Sequence, residues 1–177
     1  MTTCNAFAVS LGLAALLGGC TSHVRLNSGA TGPAMPANAT ISFIGTHQVD
    51  GQLARQAQAS VADALEKRGH MIGPDAAMRI EVGLTDRPAI TGVSVIDGAV
   101  LSPPKGKAFL QSCRDRTYRL VLTYYGVGDT VPITRAWAEE RHCKGTIDGS
   151  IRSLADRAVA ALAMGSSTAT SRRRAVE

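Results

Sequence analysis

Cys113 to Cys143 reads CRDRTYRLVLTYYGVGDTVPITRAWAEERHC, and its pairing decides how the chain builds its sheet. Tyr118 to Tyr125 and Val131 to Arg141 are strand-like runs on either side of Gly128, so they fold back as an antiparallel hairpin. With the turn centred on Gly128, facing residues have numbers that sum to 256. The two cysteines then face each other, Asp115 faces Arg141, Arg116 faces Glu140, and Arg119 faces Trp137. Cross-strand pairs of these kinds contribute a few tenths to about 1 kcal/mol each. Tyr118, Leu120, Leu122 and Tyr124 line the core face with Ala136 and Ala138. A two-residue turn at Gly128-Asp129 gives a rival register, sum 257, that moves Val131, Ile133 and Trp137 inward, turns Arg135 with them, and offsets the cysteines by one.

Outward from the hairpin, the elements fall in a simple order. Thr40 to Gly45 (TISFIG) alternates as a first strand. Asp50 to Gly69 carries Leu53, Ala57, Val61, Ala64 and Leu65 at helical spacing, with Gly69 as the stop. Met78, Ile80, Val82 and Leu84 share one face of a second strand. Residues 86–112 hold a turn dipeptide, Asp97-Gly98, between apolar runs, which suits a small hairpin or a long loop that meets a partner. Ile151, Leu154, Ala155, Ala158, Val159 and Leu162 form the apolar stripe of a closing helix ended by Gly165. The expected fold is α+β, an antiparallel sheet of four to five strands with two amphipathic helices packed on one face.

The N-terminus reads as an export signal. Ala6 to Leu17 is an apolar run of twelve, too short to span a membrane and suited to a signal-peptide core. It ends in Leu17-Gly18-Gly19-Cys20, which resembles the lipobox of bacterial lipoproteins, where the cysteine is lipidated on sulfur, the preceding peptide is removed and the new amino terminus is acylated. That resemblance implies a signal peptide over 1–19, lipidation of Cys20 and, because no retention aspartate follows Cys20, a periplasm-facing place at the outer membrane. Residues 20–39 read as a flexible tether spanning roughly 20 to 25 Å, residues 40–164 as one domain, and 165–177 as a disordered basic tail. Cys4 leaves with the signal, so Cys113 and Cys143 remain in an oxidising compartment and are expected as a disulfide, worth about 3 to 4 kcal/mol on the chain-entropy reading.

Composition narrows the function. The chain has 177 residues, 45% apolar, 19% charged and 4% aromatic, with net charge +5, which bounds it to one folded domain. Three positive charges, Arg172, Arg173 and Arg174, lie in the tail, so the rest reads as nearly neutral and no nucleic-acid partner is expected. No site motif emerges. His23, His47, His70 and His142 share no ligand spacing, so no metal or other cofactor is expected. Gly149-Ser150 lacks the pattern of a nucleophile elbow and belongs to a helix cap region. Glu139 and Glu140 point to opposite faces. No catalytic residue is assigned, and the protein is not expected to be an enzyme.

From Ile41 to Ala163, the run ALEKRG (Ala64 to Gly69), the hairpin with Trp137 on its returning strand and the closing helix resemble the uncharacterised envelope lipoproteins of Gram-negative bacteria, including auxiliary lipoproteins of transport systems. The resemblance implies a lipid-anchored periplasmic domain that binds or assembles with another envelope protein. The alternative is a carrier of a small ligand or lipid in the groove between sheet and helices.

Overall fold

The computed structural model describes residues 22–44, 51–74, 76–88, 93–94, 100–102 and 115–176. In chain order the elements are β1 (Ser22–Thr31), β2 (Thr40–Phe43), α1 (Gln52–Glu66), β3 (Met71–Ile72), β4 (Met78–Pro88), β5 (Val93–Ser94), β6 (Val100–Ser102), β7 (Arg116–Gly126), β8 (Thr134–His142), α2 (Ile147–Met164) and β9 (Ser167–Val176). The signal peptide, Cys20, Cys113 and Asp97-Gly98 lie outside the described residues.

Both helices are those the apolar spacing marks. Ala57, Val61, Ala64 and Leu65 are the buried stripe of α1, which begins after Gly51 without a side-chain cap. Gly69, at φ +82°, takes the left-handed turn that ends it. In α2 the Thr146 hydroxyl accepts from the Gly149 N–H, and Ile151, Leu154, Ala155, Ala158, Val159 and Leu162 are all buried. These residues form one core with Ile41, Ile80, Leu120, Leu122, Ala136 and Ala138 from the sheet. Each fully buried Leu or Ile there contributes about 1.5 to 3 kcal/mol. The Tyr124 hydroxyl donates to Met78 Sδ inside this layer.

The α+β class holds, but the sheet is larger than expected and mixed. Its order is β3-β2-β4-β7-β8-β1-β9, seven strands, with β2 parallel to β3 and β4 and the other ladders antiparallel. Two of the additional outer strands, at one edge of the sheet, come from segments expected to be loose. The tether expected over 20–39 instead supplies β1, which pairs with β8 from Arg25↔Arg141 to Thr31↔Arg135. Val24, Leu26 and Ala30 are buried on its inner side, and their alternation with polar neighbours is the physical cause. Beyond β1 the chain stays fastened. The Met35 N–H donates to the Leu162 carbonyl at 3.1 Å and the Ser166 N–H to the Gly32 carbonyl at 2.7 Å. Gly165, at φ +70°, leaves no room for a Cβ against the Ala34 backbone. The tail expected to be disordered supplies β9, paired with β1 through Arg25↔Arg173 and its neighbours. Main-chain pairing, without an apolar stripe, makes that strand.

The hairpin register also differs from both expectations. Facing residues sum to 258, from Arg116↔His142 to Tyr124↔Thr134. Pro132 explains it. Under a sum of 256 or 257 this proline would stand inside the ladder, opposite Tyr124 or Tyr125, without an N–H to give. Pairing instead begins with the Ile133 N–H on the Tyr124 carbonyl at 2.8 Å. Because 256 and 258 share parity, Tyr118, Leu120, Leu122, Tyr124, Ala136 and Ala138 are all buried as expected, whereas Val131 is 72% exposed. The charge pairs change partners. Arg116 holds Asp86 through two bonds of 2.8 and 2.6 Å, and Glu139 meets Arg87 at 3.4 Å. β5 and β6 form the small antiparallel ladder expected within 86–112. Cys143 is disulfide-bonded; its expected partner is outside the described residues.

Candidate binding face

Two places gather polar side chains, and their chemistry differs. At the end of β8, His142 is buried against the first turn of α2. The Gly145 N–H donates to its Nδ1 at 2.7 Å, so a neutral ring carries its proton on Nε2. Nε2 lies 3.2 Å from Ser150 Oγ and 3.6 Å from Glu140 Oε1. The Ser150 hydroxyl donates onward to the Thr146 carbonyl at 3.2 Å, and Glu140 accepts from Ser153 at 2.7 Å. A serine nucleophile needs a lone pair on the nearer imidazole nitrogen. With the Gly145 N–H on Nδ1 the neutral ring offers Ser150 an N–H and no lone pair, and in that arrangement Glu140, His142 and Ser150 fasten β8 to α2.

The same corner is tightened by Tyr118, whose hydroxyl donates to the Gly145 carbonyl at 2.8 Å. Its ring meets His142 edge to face at 5.2 Å, and burial pushes its phenol pKa up. A Cβ on Gly145 would fall inside the imidazole, so glycine is required there. The cleft beside this corner, about 360 Å³, is lined by Val24, Glu140, His142, Lys144 and Ser150 among others. Among the described residues, the space between sheet and helices is filled by core side chains.

The second place is the helix-free face of the sheet. The register brings the odd-numbered residues of β4, β7, β8 and β1 onto this one surface. One row across it is Arg87, Thr117, Arg141 and Arg25; the next is Thr85, Arg119, Glu139 and Asn27; the third is Gly83, Val121, Trp137 and Gly29. Arg135 and Arg79 lie farther along. Six arginines (Arg25, Arg79, Arg87, Arg119, Arg135, Arg141) thus share a surface with two carboxylates, Glu81 and Glu139, on a patch of roughly 15 by 30 Å. Glu139 is engaged by Arg87, and Glu81 accepts from the Tyr125 hydroxyl at 3.3 Å. The guanidinium of Arg119 lies 4.9 Å over the Trp137 ring. Diagonal placement across two strands permits this contact although the two residues do not face each other directly. Arg25 and Arg135 are exposed. The Nε atoms of Arg79 and Arg119 are buried without a hydrogen-bond partner among the described residues.

This face was not legible in the sequence. Each strand contributes one or two arginines on its polar side, which is ordinary for a half-wet strand. The reading that the folded part is nearly neutral is correct only as an average; the register segregates the charge by face. Arg172, Arg173 and Arg174 lie in β9, paired with Leu26, Arg25 and Val24 of β1. Of the residues marked in the sequence, the structure places Cys143 at the mouth of the β7–β8 ladder, while Cys20 and Cys113 are outside the described residues. Among the described residues no cluster of His, Cys, Asp and Glu could hold a metal, and no helix is long and apolar enough to cross a membrane.

The sequence matches no protein family and no curated protein. Among solved structures it is similar to two PelC dodecamers from Paraburkholderia phytofirmans. They share 12% and 11% identity with it, cover 79% and 80% of this chain and 98% and 99% of theirs, and superpose with TM-scores of 0.49 and 0.48. A PDZ domain protein from Parabacteroides distasonis aligns at 11% identity over 83% of this chain and 37% of its own, with a TM-score of 0.43. Likenesses of this size assign no activity to the chain.

Proposed function

We propose that this protein is a non-enzymatic binding component of the cell envelope, lipid-anchored at Cys20 on the periplasmic side of the outer membrane, whose working surface is the helix-free sheet face. The observation that carries the reading is the convergence of Arg25, Arg79, Arg87, Arg119, Arg135 and Arg141 from four strands, where the same paired positions supply two carboxylates, Glu81 and Glu139. A face with that excess of guanidinium groups receives an acidic partner, since planar bidentate donors suit carboxylate and phosphate alike. Lipidation of Cys20 and pairing of Cys143 with Cys113 complete the reading.

Retention of the mature chain on an immobilised sulfated polymer, eluted with salt, tests the face. Binding should weaken with ionic strength, and the Arg25→Glu/Arg141→Glu double variant should elute well before the parent. Equal retention of the two proteins refutes the assignment. Intact-mass measurement of protein taken from membranes tests the anchor, because acylation, cleavage before Cys20 and thiol oxidation each change the mass.

A further inference from the structure

Resting on that reading of the anchor and the face, we propose that the acidic surface is the headgroup layer of an anionic bilayer, against which the arginine-bearing sheet face lies down. The chain is then held to its membrane twice, by the acyl group on Cys20 and by its own arginines.

β1 begins at Ser22, two residues after Cys20, and two residues reach at most about 7 Å. An acylated Cys20 therefore keeps the first residue of β1 at the headgroups, where a free tether of twenty residues would have let the domain drift away. Arg25 is the fifth residue after Cys20, roughly 17 Å along an extended chain. It shares its row with Arg141 and Arg87, and Arg119 follows one row on. The rows nearest the anchor hold Arg25, Arg87, Arg119 and Arg141 with Glu139 as their carboxylate, whereas Glu81 lies toward the opposite end.

Anchoring makes the encounter of face and headgroups intramolecular, so even weak contacts are populated. The shape also suits a planar surface. Trp137 faces Gly29, and a Cβ there would touch the indole at 3.3 Å, so the ring lies low over the neighbouring strand. An indole beside arginines fits the polar boundary of a bilayer. A soluble acidic polymer offers the same charges but gains nothing from the position of Cys20.

Trp137 is the chain's single tryptophan, and it reports contact directly. The mature chain carrying Cys20→Ser, which cannot be acylated, is mixed with vesicles of phosphatidylcholine alone or of equimolar phosphatidylcholine and phosphatidylglycerol. The expected result is co-sedimentation with the anionic vesicles only, reversal by salt, and quenching of Trp137 by brominated phospholipid. Arg25→Glu/Arg141→Glu should bind at least tenfold more weakly; if that pair does not fold, Arg25→Gln at an exposed position should still weaken binding severalfold. Absence of binding to anionic vesicles, binding with Trp137 unquenched, or binding indifferent to Arg25 overturns the proposal. Failure on vesicles with arginine-dependent retention on the sulfated polymer would sink the bilayer and leave the acidic-partner reading standing. Failure on both would sink both.

Discussion

Replacing Leu26 by alanine separates a strand from a tether. Leu26 is 5% exposed, on the inner side of β1 between β8 and β9, where β1 packs against α2. Removing a buried leucine's outer carbons loses their transfer free energy and leaves a partial cavity, about 2 to 5 kcal/mol in a closed core. Leu26 lies at the margin of the main core cluster, so the lower end applies, about 2 to 3 kcal/mol. For a domain of this size that lowers Tm by roughly 5 to 10 °C. Urea or thermal unfolding of the mature chain followed by circular dichroism measures it. Asn27→Ala, one residue along on the open face, should change stability by less than about 0.5 kcal/mol. If Leu26→Ala matched Asn27→Ala, β1 would contribute nothing to the core. Its fastening, and the approach of the sheet to the membrane that depends on it, would fall together.

Four further outcomes follow from named contacts. Gly145→Ala should cost at least about 2 kcal/mol, because the added carbon meets the His142 ring and breaks the bond from the Gly145 N–H; a midpoint in urea unchanged from the parent would refute the fastening role of that corner. A double-mutant cycle on Arg119→Met and Trp137→Leu should give a coupling of about 0.5 to 1 kcal/mol from the stacked pair, and zero coupling would show the contact to be incidental. Burial, opposed by the Ala39 carbonyl and reinforced by Arg68, holds the His70 pKa below its usual 6.5. The unfolded chain then binds the proton more readily, so stability is full above pH 6.5 and declines as pH falls toward the folded value; His70→Phe should flatten this decline in urea midpoints measured from pH 7.5 to 5. Ser150→Ala removes a buried hydroxyl that bridges His142 and the Thr146 carbonyl and should cost about 1 to 2 kcal/mol, read from the same midpoints.

What the sequence settled is what a short window can settle. The stripes of α1 and α2, the inward faces of β4 and β7, and the glycine stops at Gly69 and Gly165 all follow from periodicity and local backbone preference, and the structure keeps every one. Val24, Leu26 and Ala30 carried the same period-two signal for β1, masked by the surrounding Ser, Gly and Pro. Tertiary structure decided the rest, because strand pairing joins residues far apart in the chain through main-chain hydrogen bonds that leave little trace in side-chain pattern. It recruited β9 by such bonds, moved the hairpin by two positions around Pro132, and thereby brought arginines from four strands into adjoining rows. No single strand's composition distinguishes that face from an ordinary wet one, since its charge exists only once the register is set.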